Sequence, residues 1–207
     1  MERILKGVAT ILLCVAAFSC AGPSDDASSD GLVCFNADSL RSGDLICRLG
    51  DGFFSDIFRR YSGGAERFSH IGVLHREGDS CFVIHAEASE LTGIGWVKRD
   101  PLSLFVNESL DWQVFRVKAD SLRLRVDSFA LLYYQRPTPF DLDFDLSNDS
   151  ALYCTELVAV CIERSLDEKG YVPAFPLRKE FSYYRVDDIL RCGVVEMDSV
   201  FVEKKND

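Results

Sequence analysis

The chain of 207 residues carries only three histidines, and all of them fall in two short stretches, SHIGVLH (69–75) and IHAEA (84–88). An imidazole exchanges protons near neutral pH, so its neighbours decide what chemistry it can do. Side chains alternate along a strand. His70 therefore shares a face with Gly72 and Leu74, and His75 points the other way. In the second stretch His85 and Glu87 share a face. Two such strands paired antiparallel can set His70 beside Glu87, a carboxylate that would orient the ring and raise its basicity. The missing partner is a nucleophile, and Cys154 is the candidate. It follows the capping residues Asn148, Asp149 and Ser150 at the start of an apolar helical pattern. Backbone N–H groups and the helix dipole at such a position favour a thiolate and a lowered thiol pKa. The same N–H groups can hold an oxyanion. His70, Glu87 and Cys154 together would perform nucleophilic acyl transfer.

The surrounding pattern supplies elements to position these groups. Strands are expected at 42–49, 68–75, 80–88, 94–100 and 111–118, with REGDS as a turn between the second and third. Helices are expected at 52–64, at 120–135 capped by Asp120 or Ser121, and at 148–166. Residues 193–203 read as a strand or hairpin. Hairpin strands followed by helices and then strands predict an α+β fold with an antiparallel sheet packed against helices. Cys161 lies two turns beyond Cys154 and reads as core. Asp141, Asp143 and Asp145 alternate but lack the glycine and terminal glutamate of a calcium loop, so a solvated acidic edge is expected. Lys98 and Arg99 read as surface charges, and Glu156 as a structural partner of the Gly43–Asp44 turn.

A formal net charge of −10 provides no basic stripe for phosphates, which argues against nucleic acid as a partner. The first residues, MERILKGVATILLCVAAFSC, have a short basic start and an apolar run, as in a secretory signal. The closing AFSC resembles a bacterial lipobox, with Ala17 where that pattern prefers leucine. The resemblance implies a signal peptide over 1–19 and lipid on Cys20. A polar tether then runs over 20–31, and one domain over 32–207. The expected location is exported, lipid-anchored to the envelope. Disulfides are permitted there. No CxxC and no Cys/His group with zinc spacing occurs, so neither metal nor cofactor is expected.

Further motifs carry a resemblance that spans roughly residues 42 to 165. GDLIC (43–47), SHIGV (69–73), IHAEA (84–88), IGWVKRDPLSLF (94–105), PFDLDFD (139–145) and YCTELV (153–158) resemble the YiiX/YebB-like family. That family is a circularly permuted branch of the NlpC/P60 papain-like cysteine hydrolases. Thr155 stands where the family often has serine, and Phe140 where it often has tyrosine. The resemblance implies a permuted papain-like fold, Cys154 as nucleophile, His70 as general base and then acid, and Glu87 as the orienting residue. Tyr153, His85 and Thr155 are expected to line the substrate cleft. The implied substrate is an amide in peptidoglycan peptides. Two alternatives stand beside it, an acyl-lipid hydrolase or acyltransferase, and a non-catalytic lipoprotein that binds an envelope ligand.

Overall fold

A computed structural model of the chain describes residues 39–50, 67–178, 181–196 and 201–203. The expected helix at 52–64, the signal, the tether and Cys20 lie outside the described residues. Among the described residues eight strands and four helices follow in chain order. They are β1 (Leu45–Leu49), β2 (His70–Glu77), β3 (Ser80–Ala88), β4 (Gly95–Pro101), α1 (Leu102–Asn107), β5 (Asp111–Phe115) and α2 (Asp120–Gln135). Then come α3 (Cys154–Leu166), β6 (Phe175–Arg178), β7 (Phe181–Tyr183), α4 (Val186–Leu190) and β8 (Phe201–Glu203). Six strands form one sheet in the order β4-β3-β2-β1-β5-β8, antiparallel throughout, and β6 pairs with β7 separately. The class is mixed α and β, with an antiparallel sheet packed against helices.

Alternation divides the sheet into two chemically different faces. Leu45, Cys47, Ile71, Val73, Ile84, Ala86 and Val97 join Val126, Ala130, Leu157, Val158 and Ile162 of α2 and α3 in one core. Each buried aliphatic side chain contributes about 1.5–3 kcal/mol. The opposite face carries Arg48, His70, His85, Glu87, Lys98 and Asp100, because each sits one residue out of phase with the core set. Phe105 of α1 packs against the rings of His70 and His85, with centroids 5.8 Å and 5.1 Å away. The edge position of β4 tolerates Pro101, which ends the strand and starts α1.

The helix expected from Asn148 begins six residues later. Asn148 Oδ1 accepts from the Ser150 backbone N–H at 3.0 Å, and this local bond competes with a helical turn. The cap of α2 likewise falls on Ala119, with Asp120 already inside the helix and paired to Arg123. Asp141 is not part of a solvated edge. It is buried and accepts backbone N–H bonds from Asp143 at 2.9 Å and Asp145 at 2.7 Å, clasping its own loop.

The GDLI stretch has a structural explanation. Gly43 adopts φ +84°, and its N–H donates to the Leu74 carbonyl at 2.7 Å. A Cβ there would lie 1.9 Å from the Arg123 carbonyl oxygen. Asp44 is fully buried, and burial raises its pKa although Arg116 binds it at 3.1 Å. Gly43→Ala is expected to cost at least about 2 kcal/mol, read as a lower urea midpoint, because both the backbone conformation and the space require glycine.

Candidate active site

Cys154 is the first residue of α3, with Tyr153 at the cap, and is only 7% exposed. It is a thiol, in no disulfide. The backbone N–H groups of Thr155, of Ile71 and of Cys154 itself lie close enough to the sulfur to favour its charged form. The Ile71 contact places the sulfur at the start of β2, beside the backbone of His70. Burial is nevertheless the strongest influence, and it pushes the thiol up to about 11 against these donors. The expected lowering at a helix start is therefore overturned by desolvation. The resting group is a neutral thiol. Alkylation of Cys154 by iodoacetamide is expected to rise about tenfold per pH unit from 7 towards 11, without a plateau near neutrality. A plateau by pH 8, measured by mass spectrometry of the labelled peptide, would contradict this.

His70 does not have Glu87 as its ring partner. Its Nε2 lies 2.8 Å from Nδ1 of His85, and His85 Nε2 lies 3.1 Å from Oδ2 of Asp100. The register explains the choice, since His85 and Asp100 lie on neighbouring strands of the same face. Asp100 is held ionised, its pKa pulled down first by His85 and then by Lys98 against its burial. An ionised carboxylate only accepts, so His85 carries its proton on Nε2. Neutral His85 then presents a lone pair at Nδ1, which takes the Nε2–H of His70. The free lone pair of His70 is left on Nδ1. Burial pushes the His70 pKa well below its ordinary range, with His85, Arg48 and Lys98 adding to the shift. Burial also lowers His85, against the hydrogen bond it donates to Asp100.

Glu87 serves a different set of partners. Arg48 binds one of its oxygens, and Lys98 Nζ binds the other at 2.6 Å. Lys98 also reaches Asp100 at 2.8 Å. Burial would raise the pKa of Glu87, but His85, Lys98 and Arg48 together bring it below its usual value. Arg48 is itself buried, stacks over Phe105 at 4.4 Å and donates to the Phe105 carbonyl at 3.1 Å. Its Nε has no partner among the described residues. Lys98 and Arg99 are thus not merely surface charges, since Arg99 pairs with Glu77 and covers the Phe82 ring.

The residues expected to line a cleft are buried. His85 has no exposed surface, Tyr153 is 1% exposed and Thr155 is 6% exposed. The Tyr153 hydroxyl accepts from the Tyr184 N–H, and Thr155 Oγ1 donates to the Tyr184 carbonyl, both at 2.8 Å. Both fasten the start of α3 to the 184 segment. His75 faces away, bound to Asp127 of α2 at 2.8 Å. Asp100 and Arg48 were missed by sequence reasoning. Their signal was the period-two phase of β1 and β4 relative to His70.

Glu156 does not meet the Gly43–Asp44 turn. Its carboxylate accepts from the Tyr153 N–H at 3.3 Å, capping α3 from inside. It also lines a cavity of about 400 Å³ with Val160, Glu163 and Tyr184, and neither Cys154 nor His70 borders that cavity. Burial raises its pKa from 4.5 to about 8. Between these values the folded chain holds a proton that the unfolded chain releases, so stability falls as pH rises from 4.5 to 8. Glu156→Gln is expected to flatten that decline and to be the more stable protein at pH 8, by at least about 1 kcal/mol in urea unfolding.

His70, His85 and Glu87 also form a group whose ligand atoms lie within 4.8 Å of one another. No family model and no curated protein matches the chain. Among solved structures it is similar to the metalloprotein yiiX from Escherichia coli O157:H7, DUF1105, with a TM-score of 0.62 and 17% identity. That likeness covers 81% of this chain and 99% of the other, and at this identity it shows the fold alone.

Proposed function

We propose that the chain is a cysteine hydrolase of the cell envelope, an amidase or peptidase acting through Cys154 and His70. The supporting observation is the Cys154 sulfur at a helix start, near the Ile71 amide that follows His70, with the His70 ring oriented by His85 and Asp100. In this reading Glu87 gives up the orienting role to that pair. The thiol gives its proton to His70 Nδ1 as the sulfur attacks the carbonyl carbon. The developing oxyanion takes the N–H groups at the start of α3. The imidazolium is a strong acid, because burial and the nearby cations disfavour its charge. It protonates the leaving amine, and the neutral ring then activates water against the thioester. The order His then Cys along the chain fits a permuted papain-like arrangement, with His70 on β2 and Cys154 on α3.

The lipobox-like AFSC supports an exported, lipid-anchored protein, and the resemblance of its motifs to the NlpC/P60 branch points to a peptidoglycan peptide amide as substrate. A second reading, an acyl-lipid substrate, has its own support. Leu91, Ile94 and Trp96, in and after the β3–β4 turn, are 97%, 65% and 55% exposed. Leu142 is exposed too and approaches the same turn at Gly93. Incubation of the protein and its Cys154→Ala variant with peptidoglycan fragments and with lipid extracts separates these readings. A product that depends on the thiol names the substrate, and none in either mixture refutes the hydrolase.

The yiiX neighbour is a metalloprotein, and His70, His85 and Glu87 would be the donor set here. Their arrangement does not fit an ion. Two nitrogens on a tetrahedral zinc are about 3.3 Å apart, given Zn–N bonds of ~2.0–2.1 Å. The 2.8 Å between the two imidazoles is a hydrogen bond. Glu87 is already neutralised by Arg48 and Lys98. No step of the reaction is routed through a metal.

A further inference from the structure

We infer that Arg48 and Lys98 take the place of a divalent cation, and that their removal converts the His70, His85 and Glu87 group into a transition-metal site. The inference rests on the geometry of the second sheet face and stands whether or not Cys154 proves catalytic. Around the two imidazoles two carboxylates face two cations, and Glu108, half exposed, meets Arg48 from the rim. Glu87 and Asp100 are the carboxylates, Arg48 and Lys98 the cations, and both imidazoles are held neutral by burial. Replacing both cations with neutral side chains leaves two negative charges beside two imidazoles, which a dication neutralises.

Part of a ligand set is already in place. His85 donates its Nε2–H to Asp100, the outer-shell bond that a ligating histidine uses to present its other nitrogen. His85 Nδ1 therefore aims a lone pair at His70. The atoms of His70, His85 and Glu87 already lie within 4.8 Å of one another. Two changes are needed for an ion to enter. His70 must move its proton from Nε2 to Nδ1, and Glu87 must leave its cationic partners. The first is a tautomer exchange available to any neutral imidazole. The second is opposed in the native chain at both carboxylate oxygens, by Lys98 on one and on the other by Arg48, which is buried and held by the Phe105 carbonyl and Glu108 as well. Two histidines and a carboxylate form the donor set of a catalytic zinc site with open positions, so zinc and cobalt(II) are the ions that fit.

The test titrates the purified protein with zinc(II) and with cobalt(II). The d–d absorption of cobalt reports tetrahedral nitrogen ligation. The native chain should show no tetrahedral cobalt spectrum and should lose zinc on dialysis. Arg48→Met/Lys98→Met should bind one ion per chain about 100-fold more tightly, and a further His70→Ala should abolish the gain. Arg48 is buried, so the double variant is checked by circular dichroism. The Lys98→Met variant alone, at a partly exposed position, should keep the fold and gain at least about tenfold. One zinc retained by the native chain and lost in His85→Ala overturns the inference. So does a folded Lys98→Met protein with unchanged affinity.

Discussion

Cys154→Ala is expected to lower the rate of product formation at least about 10⁴-fold, with thermal unfolding close to that of the native chain. The size of the effect follows from the proposed chemistry. Without the sulfur no acyl-enzyme forms, and water must attack the carbonyl directly. What remains is the contribution of positioning and of the N–H groups at the start of α3. The small structural cost follows from size, since cysteine to alanine removes one atom from a helix start that Tyr153, Thr155 and Glu156 fasten independently. Cys161→Ala is the matched control. It sits in the core with no exposed surface, and burial raises its thiol pKa far above the ordinary range. That variant should lose stability through a cavity, about 1 kcal/mol, and keep its turnover. Equal loss of turnover in both variants would point to a folding effect. Undiminished turnover in Cys154→Ala would remove the nucleophile from the proposal.

The local frame of the site was legible in sequence because it depends on short-range period. Alternation in 69–75 and 84–88 sets which residues share a face, and the REGDS turn pairs the two strands. The sheet-on-helix class followed in the same way from periods of 2 and 3.6. What was not legible depends on registers between strands that no short turn fixes. Asp100 reaches His85 because β4 pairs with β3 one phase away, which turns Lys98 and Asp100 onto the imidazole face. Arg48 comes from a strand separated from β2 by the long 50–69 segment, so nothing local marked it as the partner of Glu87. The thiol pKa was misjudged for a similar reason. A helix start is a local feature, but the burial that outweighs it is produced by the whole packed domain.

His85→Phe is expected to lower turnover about 10²–10⁴-fold while preserving the fold, and His85→Gln to lose only about tenfold. The contrast isolates orientation from bulk. His85 is fully buried between Phe105 and Asp100, and phenylalanine fills a comparable space. It cannot accept the Nε2–H of His70, so that ring loses the bond that holds its lone pair on Nδ1. Glutamine restores an acceptor oxygen at the same face, and its amide N–H can still meet Asp100. The activity difference between the two variants therefore measures the tautomer and angle of His70 and not the presence of a second imidazole. A purely structural role for His85 predicts the reverse, with phenylalanine tolerated and the polar glutamine harmful in an apolar setting. The pH profile gives a second readout. If His85 and Asp100 hold the neutral His70, His85→Phe should alter the acid limb of activity, whereas a packing defect would scale the whole profile without moving it. A folded His85→Phe protein with native turnover would show that His70 needs no partner at Nε2, and the orienting pair would have to be abandoned.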